Sequence, residues 1–255
     1  MTHTHHRTEN KEGRVLIFDT EATGLPTFRG DRLNGDLRYY GYNDLAKYES
    51  SRVVQLSYVV READGTEIKE VDHIIKPDNF TIPQHTIDIH GITNEIAHAK
   101  GVDINKAFDE LRDDLKGVTT IVGHHVYFDK NVLMAEAYRY GRFDVLDRLR
   151  LIHFVCTQEL AKPICKFPGR YGIRLPGLAD THEFFFGERP AHPHNALYDA
   201  RACARIYFHL KSLPPTPPAP PAPPVPASAQ TPRPSRRIMV RGRRPGPYSR
   251  IPRKG

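Results

Sequence analysis

Val15-Leu16-Ile17-Phe18-Asp19-Thr20-Glu21-Ala22-Thr23-Gly24-Leu25-Pro26 is the stretch on which the fold turns. Its four leading apolar residues are too few for a helix and rich in branched side chains, which predicts a buried strand. Side chains alternate along a strand, so Asp19 and Glu21 project from one face if the strand continues through them. Two carboxylates so placed form a chelating pair. The bland alternative is a strand that runs into a polar turn, because Thr23-Gly24-Leu25-Pro26 has good turn chemistry.

Two later segments decide between these readings. Gly123-His124-His125-Val126-Tyr127-Phe128-Asp129 follows an apolar run at Thr119–Val122, and His194-Asn195-Ala196-Leu197-Tyr198-Asp199-Ala200 opens a third. From about His194 to Lys211 the chain reads as a helix, with Leu197, Ala200, Ala204 and Leu210 among its apolar positions and Leu213-Pro214-Pro215 as a stop. His194 then stands at the helix entrance while Asp199 projects from the first turns; His192, two residues earlier, has a different reach and direction. Four acids and one histidine suit hard cations, which take oxygen ligands, and a pair of such ions about 3.5–4 Å apart can clamp both oxygens of a phosphoryl transfer. A histidine beside such a centre is placed to take a proton from water.

The rest of residues 14–212 reads as one α/β domain. Val53–Val60 and Glu67–Ile75 are strands joined across Ala63-Asp64-Gly65, a hairpin step, and with Val15–Phe18 they make an antiparallel meander. Asp103–Lys116 is an amphipathic helix ending near Gly117, Thr119–Gly123 a strand, and Asp129–Tyr140 a helix closed by Gly141. Thr27–Ser51 is a long irregular insertion, too polar to be core. Cys156-Thr157-Gln158 opens a helix through Ala161, Lys166–Arg174 is an exposed basic loop, and Leu178–Phe186 is a short helix with its phenylalanines in the core. Lys162, Lys166, Arg170 and Arg174 are basic enough to meet a phosphate backbone and Tyr171 to stack a base, against the plainer reading of a solvated surface.

Taken together, Phe18–Pro26, His124–Asp129 and His194–Ala200 resemble the three motifs of the DEDDh branch of the DnaQ-like 3′-to-5′ exonucleases. Ile89-His90-Gly91-Ile92-Thr93 is similar to a segment many members carry between the first and second motifs. The H-x4-D spacing of His194 and Asp199 marks this branch against the tyrosine one. The resemblance implies a ribonuclease H-like mixed five-stranded sheet flanked by helices. It also implies two Mg²⁺ or Mn²⁺ ions per site on Asp19, Glu21, Asp129 and Asp199, with Asp129 acting through water, and His194 as general base. The expected reaction is hydrolysis at a nucleic-acid 3′ end to nucleoside 5′-monophosphates. Thr23, Gly24, Leu25, His90, His124 and Phe128 are the implied substrate contacts, although core packing is the alternative for His90, His124 and Phe128. His125 departs from the pattern, which has asparagine there. Single-stranded DNA is the expected substrate, since Glu21–Pro26 resembles the TREX-type DNA nucleases. An exoribonuclease, or an inactive nucleic-acid-binding module, is the alternative.

Beyond Leu213 the composition shifts. Fourteen of 22 prolines lie between Pro214 and Pro252, and nine Lys or Arg with no acid follow from Arg233 onward. The expected organisation is a flexible N-terminus at 1–13, the catalytic domain at 14–212 and a Pro-rich, basic, disordered tail at 213–255. The tail accounts for the net charge of +7, because the remainder carries 28 bases against 30 acids. It is suited to attract nucleic acid or to engage a protein partner. Three cysteines in no pattern and no long apolar run predict an intracellular, soluble protein in cytoplasm or nucleus, with no membrane partner.

Overall fold

In the computed structural model, residues 13–30, 38–170 and 172–214 are described. The first strand, β1 (Arg14–Ala22), is longer than its apolar run and continues through both acids. Its two faces are buried differently. Leu16 and Phe18 enter the main core, whereas Val15 and Ile17 enter a second cluster with Val59, Cys203 and Ala204. Asp19 and Glu21 extend the row of Val15 and Ile17, so the period of two carries both carboxylates toward the element that supplies Cys203 and Ala204.

After β1 come the short β2 (Phe28–Arg29) and β3 (Arg38–Tyr39), then β4 (Val53–Arg61) and β5 (Glu67–Ile74). Three helices follow, α1 (Gln84–His90), α2 (Asn94–Lys100) and α3 (Ile104–Asp114), and lead to β6 (Val118–Gly123). Next are α4 (Val126–Arg139), α5 (Phe143–Leu151), β7 (His153–Cys156), α6 (Thr157–Cys165), the two-residue strands β8 (Pro168–Gly169) and β9 (Gly172–Ile173), α7 (Leu178–Phe186) and α8 (Ala196–Ser212). The main sheet has the order β5-β4-β1-β6-β7. β1 pairs antiparallel with β4, and β4 with β5; β1–β6 and β6–β7 are parallel. The predicted mixed five-stranded sheet is therefore present, with β1 at its centre.

Three expectations are corrected. The 27–51 insertion is not all polar surface: Tyr48 is fully buried and its hydroxyl donates to the Tyr40 carbonyl at 2.6 Å, which gives the buried phenol a partner. The phenylalanines of α7 are not core, as Phe184 is 48% exposed and Phe185 and Phe186 are half-buried, the inward positions being Thr181 and His182. α4 begins at Val126, three residues before the expected start, because His125 takes a left-handed conformation (φ 66°) and serves as its N-cap. That early start puts Asp129 inside the helix's first turns.

All three cysteines are buried and unpaired. No helix among the described residues is long and apolar enough to cross a membrane. The expected flexible N-terminus, Tyr171 and the tail beyond Pro214 lie outside the described residues.

Candidate active site

Asp19 and Glu21 meet Asp199 where β1 ends beside the start of α8. One carboxylate oxygen from each lies within 4.8 Å of the others. Three oxygen donors and no thiolate are a donor set for a hard divalent cation. The charges are costly without one. Burial and the negative charges of Asp129, Glu21 and Asp199 push Asp19 well above the usual carboxylate range. Glu21 is pushed up to about 8, chiefly by burial and then by Asp199 and Asp129. Asp199 is raised by burial, opposed by a hydrogen bond from the His194 backbone.

Asp129 approaches from the opposite face of the sheet. It is 3% exposed, and one of its oxygens, Oδ1, accepts from both the Thr20 amide at 3.0 Å and the Thr20 hydroxyl at 2.7 Å. Burial nevertheless raises it to about 7. It stands outside the three-carboxylate set but close enough to feel Asp199. Thr20 was not among the residues singled out from sequence. The signal was present, a hydroxyl between two acids on the strand's other face.

His194 lies just before Asn195, the N-cap of α8, and is exposed, with a left-handed backbone (φ 62°). Its amide donates to Asp199 Oδ2 at 3.0 Å, which ties the histidine loop to the carboxylate and leaves Oδ1 of that residue for another partner. His192 is turned aside, its ring packed on Tyr198 with centroids 4.5 Å apart.

The other candidates divide by what their polar atoms already hold. The Thr23 hydroxyl accepts from the Arg52 amide at 2.8 Å and donates to the Ser50 carbonyl at 3.1 Å, so it braces the end of β1. A Cβ on Gly24 would come within 2.9 Å of the Ser50 carbonyl, and Leu25 is 45% exposed. His124 is engaged through both ring nitrogens, with Thr157 Oγ1 and the Pro176 carbonyl, each at 3.0 Å, and burial lowers it to about 4. Phe128 packs half-buried against the main core. His90 accepts from the Ile92 amide through Nδ1, and its Nε2 is buried without a partner; burial, followed by the nearby His194, lowers it to about 4. Of the basic residues, Arg174 pairs with Asp180 at 2.7 Å, and Lys162, Lys166 and Arg170 are exposed.

His125, the departure from the asparagine pattern, has a physical explanation. The left-handed region favours Asn, Asp and His among non-glycine residues, so the exchange keeps what the backbone needs. Its ring also keeps an amide's pairing of donor and acceptor. Gln158 donates its Nε2 to the Pro176 carbonyl, which leaves Oε1 to accept from His125 Nδ1 at 3.0 Å. His125 Nε2 then accepts from the Tyr39 hydroxyl at 3.2 Å.

The raised carboxylates set a pH dependence. A carboxyl whose folded pKa lies above its unfolded value near 4 stabilises the fold fully below that value and loses the contribution as pH rises through the folded pKa. In EDTA the melting temperature should therefore fall between pH 5.5 and 8.5, through the window of about 7 to 8 set by Asp129 and Glu21. Mg²⁺ should raise it at pH 8.5 and scarcely at pH 5.5, and Glu21→Gln should flatten the fall. A curve in EDTA that rises over this range, unchanged by Glu21→Gln, would contradict the electrostatic account.

Comparison with known proteins agrees with this geometry. The family described as exonuclease (RNase_T) matches residues 16–207. A PolC-type DNA polymerase III of Streptococcus thermophilus is 25% identical over 201 residues, which are 78% of this chain and 11% of the polymerase. Among solved structures, Escherichia coli Exonuclease I in complex with a dT13 oligonucleotide superposes with a TM-score of 0.59 at 16% identity, over 79% of this chain and 41% of that one. Exonuclease I from Methylocaldum szegediense gives 0.58 at 16% identity, over 78% and 40%. The chain thus spans about a tenth of the polymerase and two-fifths of the Exonuclease I chains. A family match across nearly all of the folded region, with an Exonuclease I-like fold around the acidic cluster, places this protein in the RNase_T exonuclease family, among the DnaQ-like exonucleases with a ribonuclease H-like fold.

Proposed function

We propose that the protein is a divalent-metal-dependent 3′-to-5′ exonuclease of the histidine-containing branch, which removes nucleoside 5′-monophosphates from single-stranded DNA. The observation that carries this reading is the convergence of Asp19, Glu21 and Asp199 within 4.8 Å, with His194 bonded to Asp199 through its backbone. Asp19, Glu21 and Asp199 would hold Mg²⁺ or Mn²⁺, and Asp129 would join through water. When bound, such ions stabilise developing charge on the phosphoryl oxygens and make water more acidic.

The chain's own residues supply the rest. His194 takes a proton from the attacking water, and its exposed position gives that proton a route to solvent. Thr20 fixes Asp129, and the His194 amide fixes Asp199, so neither carboxylate has to be ordered when substrate arrives. Leu25, exposed beside the acidic strand end, offers an apolar surface for the terminal base. The dT13 complex of Exonuclease I and the polymerase relative favour DNA over RNA as substrate.

The test is digestion of matched DNA and RNA oligonucleotides labelled internally and blocked at the 3′ or the 5′ end. Hydrolysis should stop only with the 3′ block, favour DNA, and release 5′-mononucleotides. Degradation that proceeds past a 3′ block would refute the polarity, and equal cleavage of RNA would refute the substrate preference.

A further inference from the structure

Beside the acidic pair, the sheet carries a second row of polar side chains. In the β1–β4 register Asp19 lies opposite Ser57 and Glu21 opposite Gln55, and in the β4–β5 register Ser57 lies opposite Asp72. Residues directly opposite share a face, so Gln55 and Ser57 sit on the face that carries the catalytic carboxylates. Both are buried, at 2% and 0% exposure, and Val59 continues their row into the apolar cluster of Val15 and Ile17. A buried amide in such a place needs partners for both of its ends.

The partners lead from the sheet edge to the catalytic helix. Asp72, on the edge strand, accepts from Gln55 Nε2 and from Ser57 Oγ, each at 2.7 Å. That fixes the amide's orientation and turns Gln55 Oε1 toward the Ala196 amide, which donates to it at 3.2 Å. Ala196 is the first residue of α8, so its N–H has no partner within the helix. On one side of it stands the His194 loop and on the other, within the same first turn, Asp199.

We infer that Gln55, held by Asp72, is a positioning residue that clamps the start of α8 and thereby sets Asp199 and His194 against Asp19 and Glu21. This rests on the proposed metal-dependent nuclease reading. The clamp explains how His194 keeps a left-handed backbone, for the loop is tied on one side by the His194–Asp199 bond and on the other by Gln55–Ala196. It also separates two duties. Gln55 is buried with both ends of its amide engaged, so its loss should loosen metal-ligand geometry without weakening the grip on nucleic acid.

Two variants cut the same bond from opposite sides. Gln55→Met keeps the side chain's length and removes both polar ends. Ala196→Pro removes the donor at a first helical position where proline is well tolerated and after an extended residue, Asn195 (φ −120°, ψ 115°), that suits the position before proline; because Ala196 is fully buried, Ala196→Val, which adds similar volume and keeps the N–H, is its control and should behave as the parent protein. Partners that hold metal ligands in place typically matter about 10–100-fold in metal affinity or activity. In both variants Mn²⁺ affinity by calorimetry should fall by about that factor, and kcat on a single-stranded oligonucleotide should fall likewise with KM within about twofold of the parent. Asp72→Asn, which still offers an acceptor oxygen, should behave as the parent protein. If Gln55→Met does not fold, Ala196→Pro gives the answer alone. Parental Mn²⁺ affinity and kcat in a folded Ala196→Pro variant, or a loss confined to KM, would overturn the clamp. A parent protein that binds Mn²⁺ but cuts no oligonucleotide would refute the nuclease reading instead, and the affinity measurements would still judge Gln55.

Discussion

Replacing Asp19 with alanine should lower hydrolysis by about 10³-fold or more while leaving the protein folded. Asp19 sits in the middle of the acidic group, under the influence of Glu21, Asp129 and Asp199 at once. Charge stabilisation by a correctly held ion is worth several kcal/mol, and each 1.36 kcal/mol is about a factor of ten in rate. The fold should not suffer, because taking one carboxylate from a like-charged buried cluster relieves repulsion. The melting temperature of Asp19→Ala in EDTA at pH 8.5 should therefore be no lower than that of the parent. Single-turnover hydrolysis and a thermal melt on the same preparation check both halves. Unimpaired hydrolysis would remove the acidic cluster from the chemistry.

His194→Ala should lower kcat by about 10²–10⁴ and leave oligonucleotide binding nearly unchanged, since a positioned base acts on water and not on the grip on substrate. The bond between this loop and Asp199 runs through the His194 backbone amide, so truncating the ring leaves it in place. His192→Ala should have little effect, because that ring is packed against Tyr198. Fluorescence anisotropy for binding and single-turnover rates separate the two contributions. If the His192 variant were the impaired one, the base would be misassigned.

Much of this arrangement was legible because the signals were periodic. The alternation of β1 carried the apolar run into Asp19 and Glu21 without a break in register, β4 and β6 followed from branched runs of ordinary length, and β5 followed from the Asp64-Gly65 hairpin step before it. β7 was not legible, as it has four residues and only Cys156 is buried. Nor were α1 and α2, seven residues each with a single buried residue apiece. The Phe184-Phe185-Phe186 run was misread as core because apolar character was counted without geometry. Neighbours on a helix are about 100° apart, and three in a row cannot all face inward. In the site, the acids and His194 were legible as spaced motifs. The roles of Thr20, Gln55 and His125 were not, because each depends on a partner far along the chain: Asp129, Ala196 and Tyr39.

The most direct measurement is hydrolysis of a 5′-labelled single-stranded DNA oligonucleotide by protein dialysed against EDTA, followed as divalent cations are returned. Four carboxylates with no thiolate select hard ions. Activity should be absent before addition, return with Mg²⁺ or Mn²⁺, return scarcely with Ca²⁺, and not return at all in Asp19→Ala. Undiminished hydrolysis in EDTA would contradict the assignment of the Asp19–Glu21–Asp199 cluster as a catalytic metal centre.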